Sequence, residues 1–163
     1  MEKEKMKIDK AGRMLAMTSK NSVLLAELAK NADWVVRLNV AKNKCTSKKV
    51  LITLANDTDW EVAAWLPDNP SCPEEVFKKL AVSDDTDILY YLVNGAYTPA
   101  EIINDVVLNN KNADTTVLIA AIKSGKLTDD TLDKLTKNNN KFIADEAETY
   151  MKGRRILSEM KGA

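Results

Sequence analysis

The chain has 163 residues, with 24 Lys and Arg against 24 Asp and Glu and no His, the size of one ordinary domain. Hydrophobic residues at 45% suffice for a core, while 29% charged residues, five Gly and four Pro exclude disordered, collagen-like and low-complexity classes. The zero net charge hides a gradient: residues 1–50 hold twelve basic and five acidic side chains (+7), 51–108 hold two and eleven (−9), and 109–163 hold ten and eight (+2).

Residues 1–30 form a leading segment. Lys3, Lys5, Lys7, Lys10 and Arg13 alternate with Glu2, Glu4 and Asp9, the pattern of a solvated helix face or frayed end rather than of a phosphate clamp. The same stretch is charged where a signal peptide needs apolar residues, and no run approaches the length of a membrane span, so a cytoplasmic protein with no membrane partner is expected. Residues 24–29 then begin a repeat.

Residues 31–108 carry that repeat at a spacing of 26: Leu28-Ala29, Leu54-Ala55 and Leu80-Ala81 recur, as do Asp33-Trp34 and Asp59-Trp60. Aligning the units gives apolar columns: Leu24, Val50, Val76 and Ile102; Leu25, Leu51, Phe77 and Ile103; Leu28, Leu54, Leu80 and Val106; Val36, Val62 and Ile88; Val40, Leu66 and Leu92. Within a unit their spacing is helical, so each unit is expected to hold two short helices. Asp33, Asp59 and Asp85 stand where an N-cap belongs. Asn43, Asn69 and Gly95 stand where a left-handed C-terminal residue is expected. Pro73 and Pro99 are expected at the first position of the second helix.

Over residues 109–137 the register loosens, although Thr115 to Ser124 and Thr128 to Lys137 still read as helices. Residues 138–163 read as a longer closing helix, with Phe142, Ile143, Ala147, Tyr150, Met151 and Leu157 inward and Gly153 as its weak point. Helices of about ten residues are marginal alone, so stacking has to stabilise them. The expected fold is therefore all-α, a single α-solenoid domain of short helix pairs closed by a longer C-terminal helix.

The stretch from Leu54, LANDTDWEVAAWLPDNPSCPEEVFKKLA, resembles the variant leucine-rich repeat, whose units run Leu-Ala, Asp-x-Asp-(Trp)-x-Val-Arg, a small apolar pair, Asn-Pro and Thr-Pro. The resemblance covers roughly residues 20–108. It implies short α and 3-10 helices in a right-handed superhelix, HEAT-like in style, used mainly as an interaction module. The Val-Arg position survives only as Val36-Arg37 and the Asn-Pro only as Asn69-Pro70, so a ladder of Arg–Asp pairs is not expected. Some members of that family carry an iron–sulphur module, and two isolated cysteines cannot supply its four thiolates.

Cys45 and Cys72 lack both CxxC spacing and a His, which leaves two reduced thiols and no metal or cofactor as the expectation. No Gly-rich phosphate loop is present, and the paired carboxylates Asp84-Asp85 and Asp129-Asp130 are ordinary surface features, so no enzyme activity is expected. On the Asp-capped helix, the positions of Val35, Asn39 and Lys42 face away from the apolar columns. The matching positions add Glu61, Trp65 and Asp68, then Asp87, Tyr91 and Asn94, with Tyr90 adjacent. Carboxylates around aromatic rings suit the anchoring of a basic protein segment. The expected protein-binding residues are Glu61, Trp65, Asp68, Asp87, Tyr90 and Tyr91, on a non-catalytic scaffold.

Two other classes compete with that reading. Alkylpurine DNA glycosylases built from HEAT-like repeats use Trp and Asp, and Asp33, Trp34, Asp59 and Trp60 supply those types. The acidic middle of the chain opposes nucleic acid, however, and the two Trp rings fit better as wedges between successive units. A small acidic inhibitor that blocks a basic nucleic-acid groove on a host protein is also compatible with the −9 segment.

Overall fold

A computed structural model describes the backbone of residues 2–162 and the side chains of residues 10–161. Within these the chain is all-helical. Its elements are α1 (Glu2–Thr18), α2 (Ser22–Leu28), α3 (Trp34–Lys42), α4 (Lys48–Leu54), α5 (Trp60–Ala64), a 3-10 turn (Leu66–Asp68), α6 (Glu74–Leu80), α7 (Thr86–Asn94), α8 (Ala100–Asn109), α9 (Thr115–Lys123), α10 (Asp129–Thr136) and α11 (Lys141–Gly162). No helix among the described residues is long and apolar enough to cross a membrane. The side chains of Glu2, Lys3, Glu4, Lys5, Lys7 and Asp9 lie outside the described residues, and the solvated face expected there is represented by Lys10 and Arg13, both exposed.

The chain forms two compact units, Met1–Leu80 with Gly95–Thr98 and Ala81–Asn94 with Pro99–Ala163. In the first, α1 packs on α3, α3 on α5, and α4 on α6. In the second, α7 packs on α9, α8 on α10, and both α9 and α10 on α11. Within each unit, several helices thus meet the next but one along the chain, while α10 also packs on its immediate successor. The apolar columns make the core: Leu25, Leu51, Phe77 and Ile103 are buried, as are Val36, Val62, Val40, Leu66 and Leu92, while Leu24, Leu28 and Ile88 are half-buried.

Polar punctuation departs from expectation in instructive ways. Asp33 Oδ1 accepts the Val35 amide at 3.0 Å and Asp85 Oδ1 accepts the Asp87 amide at 2.9 Å, as N-caps should. Asp59 makes no such cap. Its carboxylate is turned instead to the guanidinium of Arg37, and the Asp59 amide donates to Asp57 Oδ1 at 3.0 Å.

The Asn43, Asn69 and Gly95 column is not left-handed: among the described residues only Gly125, with φ of 77°, has that conformation. The asparagines are extended, at φ of −73° and −87°, and act as stitches. Asn43 Nδ2 donates to Ala16 O at 2.8 Å and Ser19 O at 2.9 Å, while its Oδ1 accepts the Cys45 amide at 2.8 Å. Asn69 repeats the pattern on Ala41 O and Asn43 O at 2.6 and 3.1 Å, with the Ser71 amide at 2.8 Å. Each side chain satisfies carbonyls stranded at the end of an earlier helix. Gly95 has a different reason, close approach: a Cβ there would sit 2.3 Å from Pro67 Cβ and 2.7 Å from Thr98 Oγ1.

α6 and α8 begin immediately after Pro73 and Pro99, one residue later than expected. The closing helix buries Ile143 and Ala147 and half-buries Tyr150 and Met151. Phe142 and Leu157, expected inward, are 58% and 59% exposed. Phe142 lies about 100° off the buried stripe. Leu157 has the right angle but lies too far along: α11 has 22 residues, whereas α9 and α10, which cover it, have nine and eight.

Candidate protein-docking face

The six expected docking residues divide between the two units. In the first unit, the fifth helix carries Glu61, half-buried, and is followed by Trp65. Lys42 Nζ, from the end of α3, lies 3.5 Å from the centroid of the Trp65 ring. That is cation–π distance, so one face of this aromatic already holds a cation from its own chain. Burial pushes the Lys42 ammonium below its ordinary value, and the charge of Asp68 pulls the other way. Asp68 is exposed, and its Oδ1 accepts the Ala96 amide at 2.8 Å. It therefore shapes a turn as well as carrying charge.

In the second unit, α7 carries Asp87 in its first turn, exposed, and the exposed Tyr90. Tyr91 is half-buried, and its ring meets that of Tyr90 edge to face, with centroids 5.9 Å apart and planes at 88°. Tyr90 borders two open clefts that share it. One, of about 220 Å³, includes Asp87 and Asp114. The other, of about 390 Å³, runs past Ile119 and Lys123 to Phe142. The contribution of α9 and α11 to this surface was not legible in the sequence, because the repeat register slips before Thr115 and gives no column in which to align Ile119 or Phe142.

The residues that raised the glycosylase reading are committed elsewhere. Arg13 Nε bonds Asp33 Oδ2 at 2.7 Å. Arg37 Nε and Nη2 bond Asp57 at 2.7 and 2.8 Å, Nη2 also meets Asp59, and Nη1 bonds Asn31 O at 2.8 Å. Two Arg–Asp rungs thus exist where no ladder was expected, each spanning twenty residues from Arg to Asp. The signal was Arg13, which lies outside the repeat but two dozen residues before Arg37. Trp34 and Trp60 are 38% and 37% exposed, so most of each ring is covered.

The ion pairs set the protonation of this region. Burial would raise the Asp57 carboxyl, but the Arg37 guanidinium and the Asp59 and Thr58 amides outweigh it and hold the group below its ordinary 3.8. Asp33 is lowered in the same way, with burial opposed by Arg13 and the Val35 amide. Burial alone pushes the Cys72 thiol up to about 12, which leaves it a thiol at neutral pH.

No known family model matches the chain, and neither the curated proteins nor the solved structures contain a match to it.

Proposed function

We propose that this protein is a non-catalytic interaction scaffold, cytoplasmic, whose helix pairs stack with a period of 26 residues as a right-handed α-solenoid of the variant leucine-rich repeat kind. The packing of α1 on α3, α3 on α5 and α4 on α6 in one unit, and of α7 on α9 and α8 on α10 in the other, supports the stacking. The partner is a protein with a basic segment, docking against Glu61, Trp65 and Asp68 and against Asp87, Tyr90 and Tyr91.

The observation that carries this reading is the imbalance of exposed charge. Between residues 51 and 108 the cations are Lys78, bonded to Glu74, and Lys79, bonded to Asn56, whereas Asp68, Asp84, Asp87, Glu101 and Asp105 all face solvent. Such a field draws a basic chain in and repels phosphate. The ion pair at Asp33 favours it further over glycosylase chemistry, since a carboxylate held below its ordinary value by an arginine is a poor base, and Asp59 is occupied by Arg37.

The test is fluorescence anisotropy with a labelled Arg- and Lys-rich peptide carrying one Leu anchor. Glu61→Lys with Asp87→Lys is expected to weaken binding at least about tenfold with helicity unchanged. At Asp68 the suitable change is Asn, which keeps an oxygen for the Ala96 amide. Binding that is indifferent to all three changes, or a gel shift with duplex or single-stranded DNA, would argue against the proposal.

A further inference from the structure

Lys42 is the last residue of α3 and stands 26 residues before Asp68, at the same position of the preceding unit. A cation at a helix C-terminus is favoured by the dipole, and water is its ordinary neighbour. Here the ammonium lies over the Trp65 ring instead, 3.5 Å from the centroid, and burial there holds it below its ordinary value. The charge of Asp68 acts on it in the opposite sense, while Asp68 Oδ1 accepts the Ala96 amide.

The seat under that ammonium has three parts. Trp65 offers a ring face, Glu61 precedes it by four residues on the same side of α5, and Asp68 ends the 3-10 turn that follows. Its occupant shows what it accepts, because a cation of the chain itself already sits there. An exposed cation–π contact contributes only about two- to fivefold to an equilibrium, so Lys42 can be displaced. A guanidinium is the group suited to displace it: it is planar, stacks on aromatic faces and is more weakly hydrated than an ammonium.

We propose that the Trp65 face is a subsite for one arginine of the basic partner, and that Lys42 holds the subsite closed until that arginine displaces it. The inference rests on the docking-face reading and names the side chain that this part of the face selects. Once released, the Lys42 ammonium stays at the C-terminus of α3, with Asp68 as its counter-charge. A partner lysine would exchange like for like, so the subsite discriminates arginine from lysine.

Two labelled peptides of one sequence, with arginine or lysine at every basic position, test this by fluorescence anisotropy in about 0.15 M salt. Lys42→Met keeps a hydrocarbon stem and removes the charge, and it should tighten the arginine peptide about two- to fivefold. Lys44→Met, at an exposed lysine two residues on, makes the same change in net charge and should alter binding less than about 1.5-fold. Trp65→Leu should abolish both the gain from Lys42→Met and the preference for arginine. The wild-type chain gives a reading that requires no variant to fold. In its proton NMR spectrum the ring current should place the Lys42 ε-methylene upfield of that of Lys44. Adding the arginine peptide should return it to the Lys44 position, with the midpoint seen by anisotropy. An ε-methylene unmoved at saturating peptide overturns the proposal, as do equal gains from the two lysine variants or equal affinity for the two peptides. If binding in those cases still weakens with Glu61→Lys and Asp87→Lys, the docking face stands and only the subsite falls. A peptide that binds neither wild type nor Lys42→Met removes both.

Discussion

Arg37 is the residue on which the first unit depends most for polar order. Its side chain is only 12% exposed, and its guanidinium bonds two carboxylates and two backbone carbonyls. Asp57, its main partner, is 5% exposed by side chain, so removing the cation leaves a buried carboxylate without its counter-charge. Arg37→Ala should therefore destabilise the protein by about 3 kcal/mol at neutral pH, read as a lower urea midpoint. The pH dependence follows from linkage. The folded Asp57 carboxyl is held below 3.8, so its contribution is present above that value and is lost as pH falls through the lowered folded value. In the Arg37 variant only the Asp59 and Thr58 amides still hold that carboxyl down against its burial, and the stability gap from wild type should narrow as pH falls below 3.8. A gap that stays constant between pH 7 and pH 2.5 would show that the clamp contributes packing alone.

At the scale of helices, two glycines make opposite predictions from one substitution. Gly153 lies inside α11 with nothing within 4 Å of a would-be Cβ, so Gly153→Ala should stabilise by about 0.5–1 kcal/mol through helix propensity. Gly95→Ala forces a methyl to within 2.3 Å of Pro67 Cβ and should destabilise by about 1–3 kcal/mol, although its backbone conformation is open to any residue. Thermal melts of the two variants should move in opposite directions, and a shared direction would refute one of the two accounts. The Gly95 case marks the limit of sequence reading here. The apolar columns from Leu25 to Leu92 were legible because helical periodicity is a local signal. The roles of Asn43, Asn69 and Gly95 were not, because their partners lie more than twenty residues away and residue type alone favours the left-handed reading. The misplacement of Leu157 has a related cause: a helical wheel gives the angle of a side chain and says nothing of how far the covering helices reach. At the docking face the acidic character and the exposure of Tyr90 were legible, whereas the cation that Lys42 places on Trp65 requires knowing where two helix ends meet.

For the molecule as a whole, electrostatics acts in two regimes that salt separates. The −9 carried by residues 51–108 is mostly on exposed side chains, where screening shortens the interaction range from about 10 Å at 0.1 M to about 3 Å at 1 M. The Arg37–Asp57 pair is nearly dry, so the same salt reaches it far less. Association with a basic peptide and folding stability should therefore diverge. Between 50 mM and 500 mM NaCl the peptide affinity is expected to fall by an order of magnitude or more, mainly through a slower association rate, while the urea midpoint shifts little. The surface pairs, among them Lys78–Glu74 and Lys137–Asp133, do not disturb this contrast, because exposed helix pairs contribute little to stability and their loss is small beside the binding change. Stopped-flow association and urea titration at the two salt concentrations measure both quantities on one preparation. An affinity independent of salt would mean that the apolar rings dominate docking and that the acidic field merely keeps the protein soluble. A urea midpoint falling in step with affinity would mean that the exposed charges help to hold the fold together.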